Sequence, residues 1–159
     1  MVSINGVDVA VGGYTEGARV YHSANQELAS GGTITLVFDS ERWDTDGIHS
    51  TVEDTDRLTC RTAGKYLVTG CVRMETKPGD ALGAYYVMTV IEKHPADETI
   101  ARTHKPSGDG FHATDTIKTI ADLAVDDWVR LRVFQNSGIG LDAEKYGECS
   151  AEFMMQRIG

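Results

Sequence analysis

The clearest alternation of apolar and polar positions in the chain lies between residues 57 and 74. After Gly64, one set of alternate positions holds Tyr66, Val68, Gly70, Val72 and Met74, and the other holds Leu67, Thr69, Cys71 and Arg73. A period of two residues is typical of a β-strand, whose successive side chains point to opposite faces of a sheet. We therefore predict a central, well-buried strand after Gly64. We also predict a shorter strand before it, joined by a Thr62–Lys65 turn in which Gly64 supplies a positive φ.

Shorter stretches of the same kind predict further strands along the chain. They cover residues 18–22, a piece ending at 28, and 33–39, 84–92, 99–103, 111–123, 128–134 and 150–158. Residues 111–123 also carry a helix-like stripe, but their many threonines favour a strand because β-branched side chains crowd a helix. Turn residues recur at intervals of roughly ten residues, which is typical of an all-β sandwich. We predict two antiparallel sheets of about ten strands in all, formed by residues 18–159 after a glycine-rich N-terminal arm at 1–17.

The net charge of the chain argues against some classes of binding partner. The 159 residues include 15 Lys and Arg against 24 Asp and Glu, a net charge of -9. Such an acidic surface repels phosphate backbones and anionic membranes, so we expect neither nucleic acid nor a membrane as a partner. No apolar stretch approaches the roughly 20 residues that span a bilayer, and no signal peptide is evident, so synthesis in a cytoplasm is expected. The three cysteines lack metal-site spacing and are expected to be free thiols.

Three groups of motifs follow one another along the chain. Val37-Phe38-Asp39, Trp43-Asp44 and Gly47-Ile48-His49 come first, then Leu58-Thr59-Cys60 with Gly64 and Tyr66, and then residues 123–129. In this order they resemble the C1q/TNF-like jelly-roll family in its stand-alone form. The first group is similar to that family's strand and long loop, the second to its F-T-C-x-x-x-G-x-Y signature, and the third to its L-x-x-G-D-x-V turn, with Asp126 in place of the glycine. The resemblance runs from Ala18 to the C-terminus. No collagen-like stalk is present, which argues against a complement-type or adipokine-type secreted protein.

The resemblance implies a homotrimer built around an axis formed by the inner sheet. Carried over to this sequence, it places four residues near that axis: Thr69, Thr116, Ile120 and Met154. These residues are smaller and more polar than the aromatic residues often found there in the family. They are the predicted trimer-interface residues.

Candidate chemistry is sparse. In the acidic loop, Asp44, Asp46 and Glu53 are the residues that could hold Ca²⁺, which prefers several oxygen ligands. Arg42 occupies the first ligand position of the EF-hand-like pattern, however, and a solvated loop is the favoured interpretation.

The histidines show no metal-binding spacing, and no nucleophile elbow or phosphate loop is present. We therefore predict no cofactor and no enzymatic activity. Trp43 and Tyr146, expected in loops, are the candidate ligand contacts, whereas Tyr85, Tyr86 and Trp128 are expected to pack in the core.

Three functional hypotheses follow. The first is a trimeric structural protein that decorates or stabilises a virus particle, as a capsid or tail component of a tailed bacteriophage, and is therefore located in the virion. The alternative is an adhesion head that binds a host receptor or glycan through loops 40–56, 104–112 and 135–149. A third hypothesis is a bacterial C1q-like protein of unknown ligand. The first rests on analogy between folds.

Overall fold

A computed structural model describes residues 2–4, 7–9, 15–75, 85–107, 113–147 and 150–159. These residues form fourteen β-strands and no α-helix. The described part of the chain accordingly contains no helix that could cross a membrane. The strands are β1 (Val2–Ile4), β2 (Val7–Val9), β3 (Gly17–Tyr21), β4 (Gln26–Leu28), β5 (Thr33–Thr35), β6 (Ser40–Asp44), β7 (Leu58–Thr59), β8 (Gly64–Glu75), β9 (Tyr85–His94), β10 (Glu98–Ser107), β11 (Ala113–Leu123), β12 (Trp128–Gln135), β13 (Leu141–Ala143) and β14 (Glu152–Arg157).

Two antiparallel sheets of seven and five strands form the body of the described fold, and β1 pairs with β2 apart from them. In the larger sheet, β11 pairs along the whole length of β8. The other edge of β8 pairs first with β14 and then with β13. The sheet continues from β14 through β3 to β6, and from β13 to β4. In the smaller sheet the order is β10, β9, β12, with β5 and β7 sharing the far edge of β12.

Alternate residues of β8 are buried, as the sequence predicts. Its inward residues are buried, whereas the residues between them are partly exposed. The inward side chains of both sheets form one core, whose largest fully buried members include Tyr66, Phe38, Phe153, Leu131 and Met155. The all-β sandwich predicted from the sequence is thus confirmed, as is a strand rather than a helix at Ala113–Leu123.

The hairpin predicted around the Thr62–Lys65 turn is wrong. The short strand β7 pairs with β12 of the smaller sheet, in the register Leu58 to Val129 and Thr59 to Trp128. The amide of Cys60 then donates to the carbonyl of Asp127 at 2.8 Å. The chain therefore crosses from one sheet to the other between β7 and β8. Alternation marks which residues are buried, but it does not show which strand will be the neighbour.

Gly64 is needed for a different reason than the one expected, since its φ is not positive. A Cβ at Gly64 would lie 2.3 Å from the carbonyl oxygen of Gly159. The C-terminal residues run directly beside it, because the Lys65 amide donates to Gly159 and the Ile158 amide donates to Lys65, each at 2.8 Å. Close approach of the backbone is thus what requires glycine here. Asp126, by contrast, does adopt a positive φ of 68° at the position where the family motif has glycine.

Other boundaries differ in detail. The strand predicted at 33–39 ends at Thr35, and the next amides leave the regular ladder: Leu36 donates to Leu131 and Phe38 donates to Thr55. Strand β13 lies in a segment predicted to be loop. Cys60 and Cys71 are free thiols, as expected, whereas Cys149 lies outside the described residues.

Candidate functional site

The outward face of the larger sheet brings together residues that are far apart in the sequence. One row across the sheet runs from Arg19 through Met154 and Thr69 to Lys118. The next row runs from Tyr21 through Glu152 and Cys71 to Thr116. Each of these residues lies directly opposite the next in antiparallel register, so their side chains leave the sheet on the same side. We call this surface the axial face, because three of the predicted trimer-interface residues lie on these two rows.

A depression with a volume of about 250 Å³ lies in the axial face. It is lined by Arg19, Thr69, Gly70, Cys71, Thr116, Glu152 and Met154. Thr69, Thr116 and Met154 therefore line one depression, as neighbours on three adjacent strands. The fourth predicted interface residue, Ile120, lies outside it on β11, opposite Leu67. Ile120 is 61% exposed, which is a large exposure for an isoleucine within a regular strand.

A buried carboxylate forms the polar part of the depression. Glu152 is 9% exposed and accepts hydrogen bonds from Nε of Arg19 at 2.6 Å and Nε of Arg42 at 2.9 Å. A β-bulge where β3 pairs with β6 lets Arg42 reach the same carboxylate as Arg19. The guanidinium of Arg42 also lies 4.5 Å from the ring centre of Tyr21. The charges lining the depression are thus already paired within the subunit, and the remaining lining is apolar or small.

Sequence reasoning did not find Arg19, Arg42 or Glu152. The available signal was the presence of charged residues within strands β3, β6 and β14. That signal did not say that the three side chains meet, because Arg19 and Glu152 are 133 residues apart.

A second open surface lies at the side of the sandwich where β10 and β11 are the outermost strands. A groove of about 430 Å³ runs between them, lined by Lys93, Glu98, Thr99, Ile100, Thr119, Ile120, Ala121 and Asp122. Among the described strands, β10 pairs only with β9 and β11 only with β8, so each has a free edge facing this groove. We call this surface the edge groove. Ile120 is its most exposed large apolar residue.

The calcium candidates lie in a loop organised by its own backbone. One carboxylate oxygen of Asp44 accepts from the amides of Asp46 and Ile48, at 3.0 and 3.1 Å, and the other accepts from the amide of His49 at 2.9 Å. Both oxygens of Asp44 are therefore engaged in closing the turn at Gly47, which has a φ of 64°. Within the described residues, no group of three or more His, Cys, Asp and Glu residues is arranged to hold a metal ion. The amide of Glu53 donates to Ser50 Oγ at 3.1 Å in the same loop.

The two aromatic ligand candidates are not brought together. Trp43 lies in strand β6 rather than in the loop predicted for it, and it packs against Gly17. Tyr146 is 56% exposed in the segment after β13, and its ring lies 4.2 Å from the guanidinium of Arg73. Trp43 is level with the Arg19 row of the axial face, whereas Arg73 lies beyond the end of β14. They belong to separate parts of the surface.

Among the aromatic residues expected in the core, only Tyr85 is buried. Tyr86 and Trp128 are partly exposed, because both lie on the outward face of the smaller sheet. The expectation of core packing was wrong for these two residues. Both strands carry apolar residues on both faces, so alternation alone did not separate the inner from the outer aromatic residues.

Comparison with known proteins gives a likeness of fold. No family model matches the sequence, and no curated protein matches it. The crystal structure of murine APRIL at pH 5.0 superposes with a TM-score of 0.65 at 9% sequence identity, and covers 91% of this chain and 100% of the APRIL chain. The crystal structure of murine APRIL at pH 8.0 gives a TM-score of 0.62 at 10% identity with the same coverage. The chain therefore has the architecture of a TNF-like jelly roll.

Proposed function

We propose that this protein is a non-enzymatic, homotrimeric jelly roll that acts as a structural or binding protein. The observation that carries the proposal is a pair of unlike surfaces on one subunit. The axial face has a depression with apolar and small side chains around a neutralised carboxylate, and the edge groove presents Ile120 at 61% exposure. The TNF-like architecture is compatible with a protein that acts by binding other molecules through such surfaces.

The two surfaces favour a head-to-tail contact. When a patch on one subunit binds a different patch on the next, the assembly closes into a ring if the rotation between subunits allows it. The resemblance to C1q/TNF-like proteins implies that such a ring has three members. We therefore place the edge groove of each subunit, with Ile120, against the axial face of its neighbour, near Met154.

The electrostatics of the axial face suit burial. An unpaired charge that loses water is strongly destabilising, whereas a paired and hydrogen-bonded charge loses much less. Glu152 already has two guanidinium partners within its own subunit. Covering Met154 and Thr69 with a neighbour's Ile120 would remove apolar surface from water without leaving a lone carboxylate behind.

Sedimentation velocity at micromolar concentration tests the trimer. We expect the wild-type protein to sediment as a trimer, and Ile120→Asp to shift it towards monomer because a carboxylate would enter the contact unpaired. Val52→Asp is the matched control, since Val52 is 84% exposed and lines neither surface. A monomeric wild type would refute the proposal, and so would an Ile120→Asp variant that remained trimeric.

For the biological setting we propose that the trimer decorates or stabilises a virus particle, bound to capsid or tail proteins and made in the host cytoplasm. Support comes from the negative net charge, which disfavours nucleic acid and membranes, and from analogy with other jelly rolls. Binding of this kind would stabilise the particle by mass action, because the trimer would bind the assembled shell and not its dissociated subunits.

Binding of the purified trimer to intact phage shells tests this setting against the alternative of an adhesion head. Decoration requires saturable binding to shells. Adhesion through loops 40–56, 104–112 and 135–149 instead requires binding to host cells or to a glycan array. Binding to cells or glycans without binding to shells would contradict decoration and support the adhesion head.

A further inference from the structure

The outward face of the smaller sheet is rich in arginine and aromatic residues. Alternation along β12 places Trp128, Arg130, Arg132 and Phe134 on this face. The register of β9 and β10 adds residues opposite them: Tyr86, Met88, Val90, Glu92, His94, Arg102 and His104. We call this surface the arginine face. It lies on the opposite side of the sandwich from the axial face.

Charge on the arginine face is positive although the protein as a whole carries -9. Glu92 accepts from Arg130 Nε at 2.9 Å and from Arg132 Nη1 at 2.6 Å, so one carboxylate faces two guanidinium groups. Burial works against the charge of Glu92, but the hydrogen bonds from Arg132 and Arg130 outweigh it and hold the pKa of Glu92 below its usual value. Arg102 lies in the same row as Arg132, with Val90 between them, and is exposed. Among the residues that make up this face, guanidinium groups therefore outnumber carboxylates.

The aromatic rings of the arginine face pack on one another. The ring centre of Tyr86 lies 5.4 Å from that of Phe134 and 4.5 Å from that of His104. Trp128 stacks on His94 with ring centres 3.7 Å apart, and the guanidinium of Arg57 lies 4.3 Å from the Trp128 ring. These ring contacts hold the aromatic side chains in fixed positions. The rings form a rigid, partly exposed apolar surface beside the arginines.

This composition identifies the kind of partner. Tyr, Trp, Phe, Met and Arg are enriched in the cores of protein–protein interfaces, and Lys, Glu and Asp are depleted there. The planar guanidinium group pairs with carboxylates through two parallel hydrogen bonds, and more specifically than the lysine ammonium does. The net charge of -9 opposes a polyanion as dense as nucleic acid but does not oppose a few carboxylates presented locally.

We propose that the arginine face is a docking surface for an acidic segment of a partner protein, whose carboxylates pair with Arg102 and the Arg130–Arg132 pair. Apolar side chains of that segment rest on Tyr86 and Phe134. This face lies opposite the axial face, and none of its residues lines the edge groove, so the proposed trimer leaves it accessible. The inference does not depend on the trimer forming.

Fluorescence anisotropy with labelled oligo-glutamate tests the proposal. A probe of about twelve residues spans the sheet at roughly 3.3 Å per residue. We expect saturable binding to the wild-type protein at about 20 mM salt that weakens markedly at about 200 mM, since exposed charge pairs are screened. Arg102→Glu should weaken binding by about fivefold or more, which corresponds to the loss of one charge pair.

Lys145→Glu is the matched control, because it makes the same change of charge at an exposed position after β13 and should leave binding almost unchanged. Absence of oligo-glutamate binding at low salt would overturn the proposal, and so would equal losses from the two variants. Heparin, a sulfated polysaccharide, is the comparison probe. If heparin bound more tightly than oligo-glutamate and lost that binding with Arg102→Glu, the partner would be a polysaccharide rather than a protein.

Discussion

Gly70 of β8 faces Leu131 of β12 so closely that a Cβ on the glycine would lie 2.6 and 2.8 Å from the two Leu131 methyl carbons. A methyl carbon of Ile117 would lie 3.2 Å away. Leu131 is fully buried, so its methyl groups cannot swing into solvent to make room. The missing side chain at Gly70 is therefore part of how the two sheets fit together in the core.

We expect Gly70→Ala to lower the free energy of unfolding by about 1–2 kcal/mol, because an added methyl group overpacks a filled core. Urea denaturation measures the change. Gly32→Ala is the control, since a Cβ there would have open space within 4 Å and the φ of Gly32 is not positive. Adding Leu131→Val to Gly70→Ala should cost less than the sum of the two single changes, since the smaller side chain makes room. Additive costs would show that the contact does not limit the packing.

A second prediction concerns the hydroxyl of Tyr66. It donates to the carbonyl oxygen of Thr62 at 2.6 Å and lies 3.1 Å from a carboxylate oxygen of Glu16. Burial is the main cause that raises the pKa of Tyr66 above its usual value, so the hydroxyl keeps its proton. We expect Tyr66→Phe to destabilise the fold by about 1 kcal/mol, the net contribution of a typical hydrogen bond.

Thermal and urea unfolding measure the effect of Tyr66→Phe. Tyr146→Phe is a suitable control, because Tyr146 is exposed and a phenylalanine ring keeps the contact with Arg73. Equal stability of Tyr66→Phe and wild type would show that the hydroxyl contributes no net stability.

Tyr66 also shows what could be predicted from the sequence. Its burial could be predicted from the alternation along β8. Tyr66 shares one face of the strand with Val68, Val72 and Met74, and this apolar face must be the one that turns towards the core. The partners of β7 did not follow, since pairing is decided by contacts distant in sequence. The aromatic residues of β9 were assigned to the core for a similar reason: both faces of that strand carry apolar side chains, and only the second sheet shows which face is covered.

The charged residues of the axial face illustrate a second limit. In the sequence Glu152 is an isolated acidic residue in a strand. Its role as the partner of Arg19 and Arg42 is set by the register in which β14, β3 and β6 pair. Asp126 is the opposite case. A sequence motif called for glycine there, and the structure shows the positive φ for which glycine is favoured.

Acidic pH should destabilise the protein through His22. This side chain is buried, and its Nε2 lies 3.0 Å from the carbonyl oxygen of Glu144, so the neutral ring donates there. Nδ1 has no hydrogen-bond partner among the described residues. Burial is the main cause that lowers the pKa of His22 below the ordinary value of 6.5. As pH falls through that value, the unfolded chain binds a proton before the folded protein does, so stability is lost on acidification.

Unfolding free energies measured from pH 8 down to pH 5 check this prediction. The contribution of His22 to stability is fully present above about pH 6.5. Below that pH it falls by at most about 1.4 kcal/mol per pH unit. His22→Gln should flatten the pH dependence between about pH 6.5 and 5 even if it lowers stability overall. His104→Gln makes the same substitution at an exposed histidine and is the matched control. An unchanged slope in His22→Gln would assign the pH dependence to other groups.

Calcium should leave the stability of the protein unchanged. The carboxylate of Asp44 already accepts from three backbone amides, and a cation would have to displace those hydrogen bonds before Asp44, Asp46 and Glu53 could share it. A bound cation would raise the melting temperature, because a ligand that binds only the folded state stabilises it. We expect equal melting temperatures in millimolar Ca²⁺ and in EDTA. Asp44→Ala should lower both values equally through loss of the turn, whereas Glu53→Ala should change neither. If Ca²⁺ raised the melting temperature, and if Asp44→Ala and Glu53→Ala each abolished that rise, the loop would instead be a calcium site.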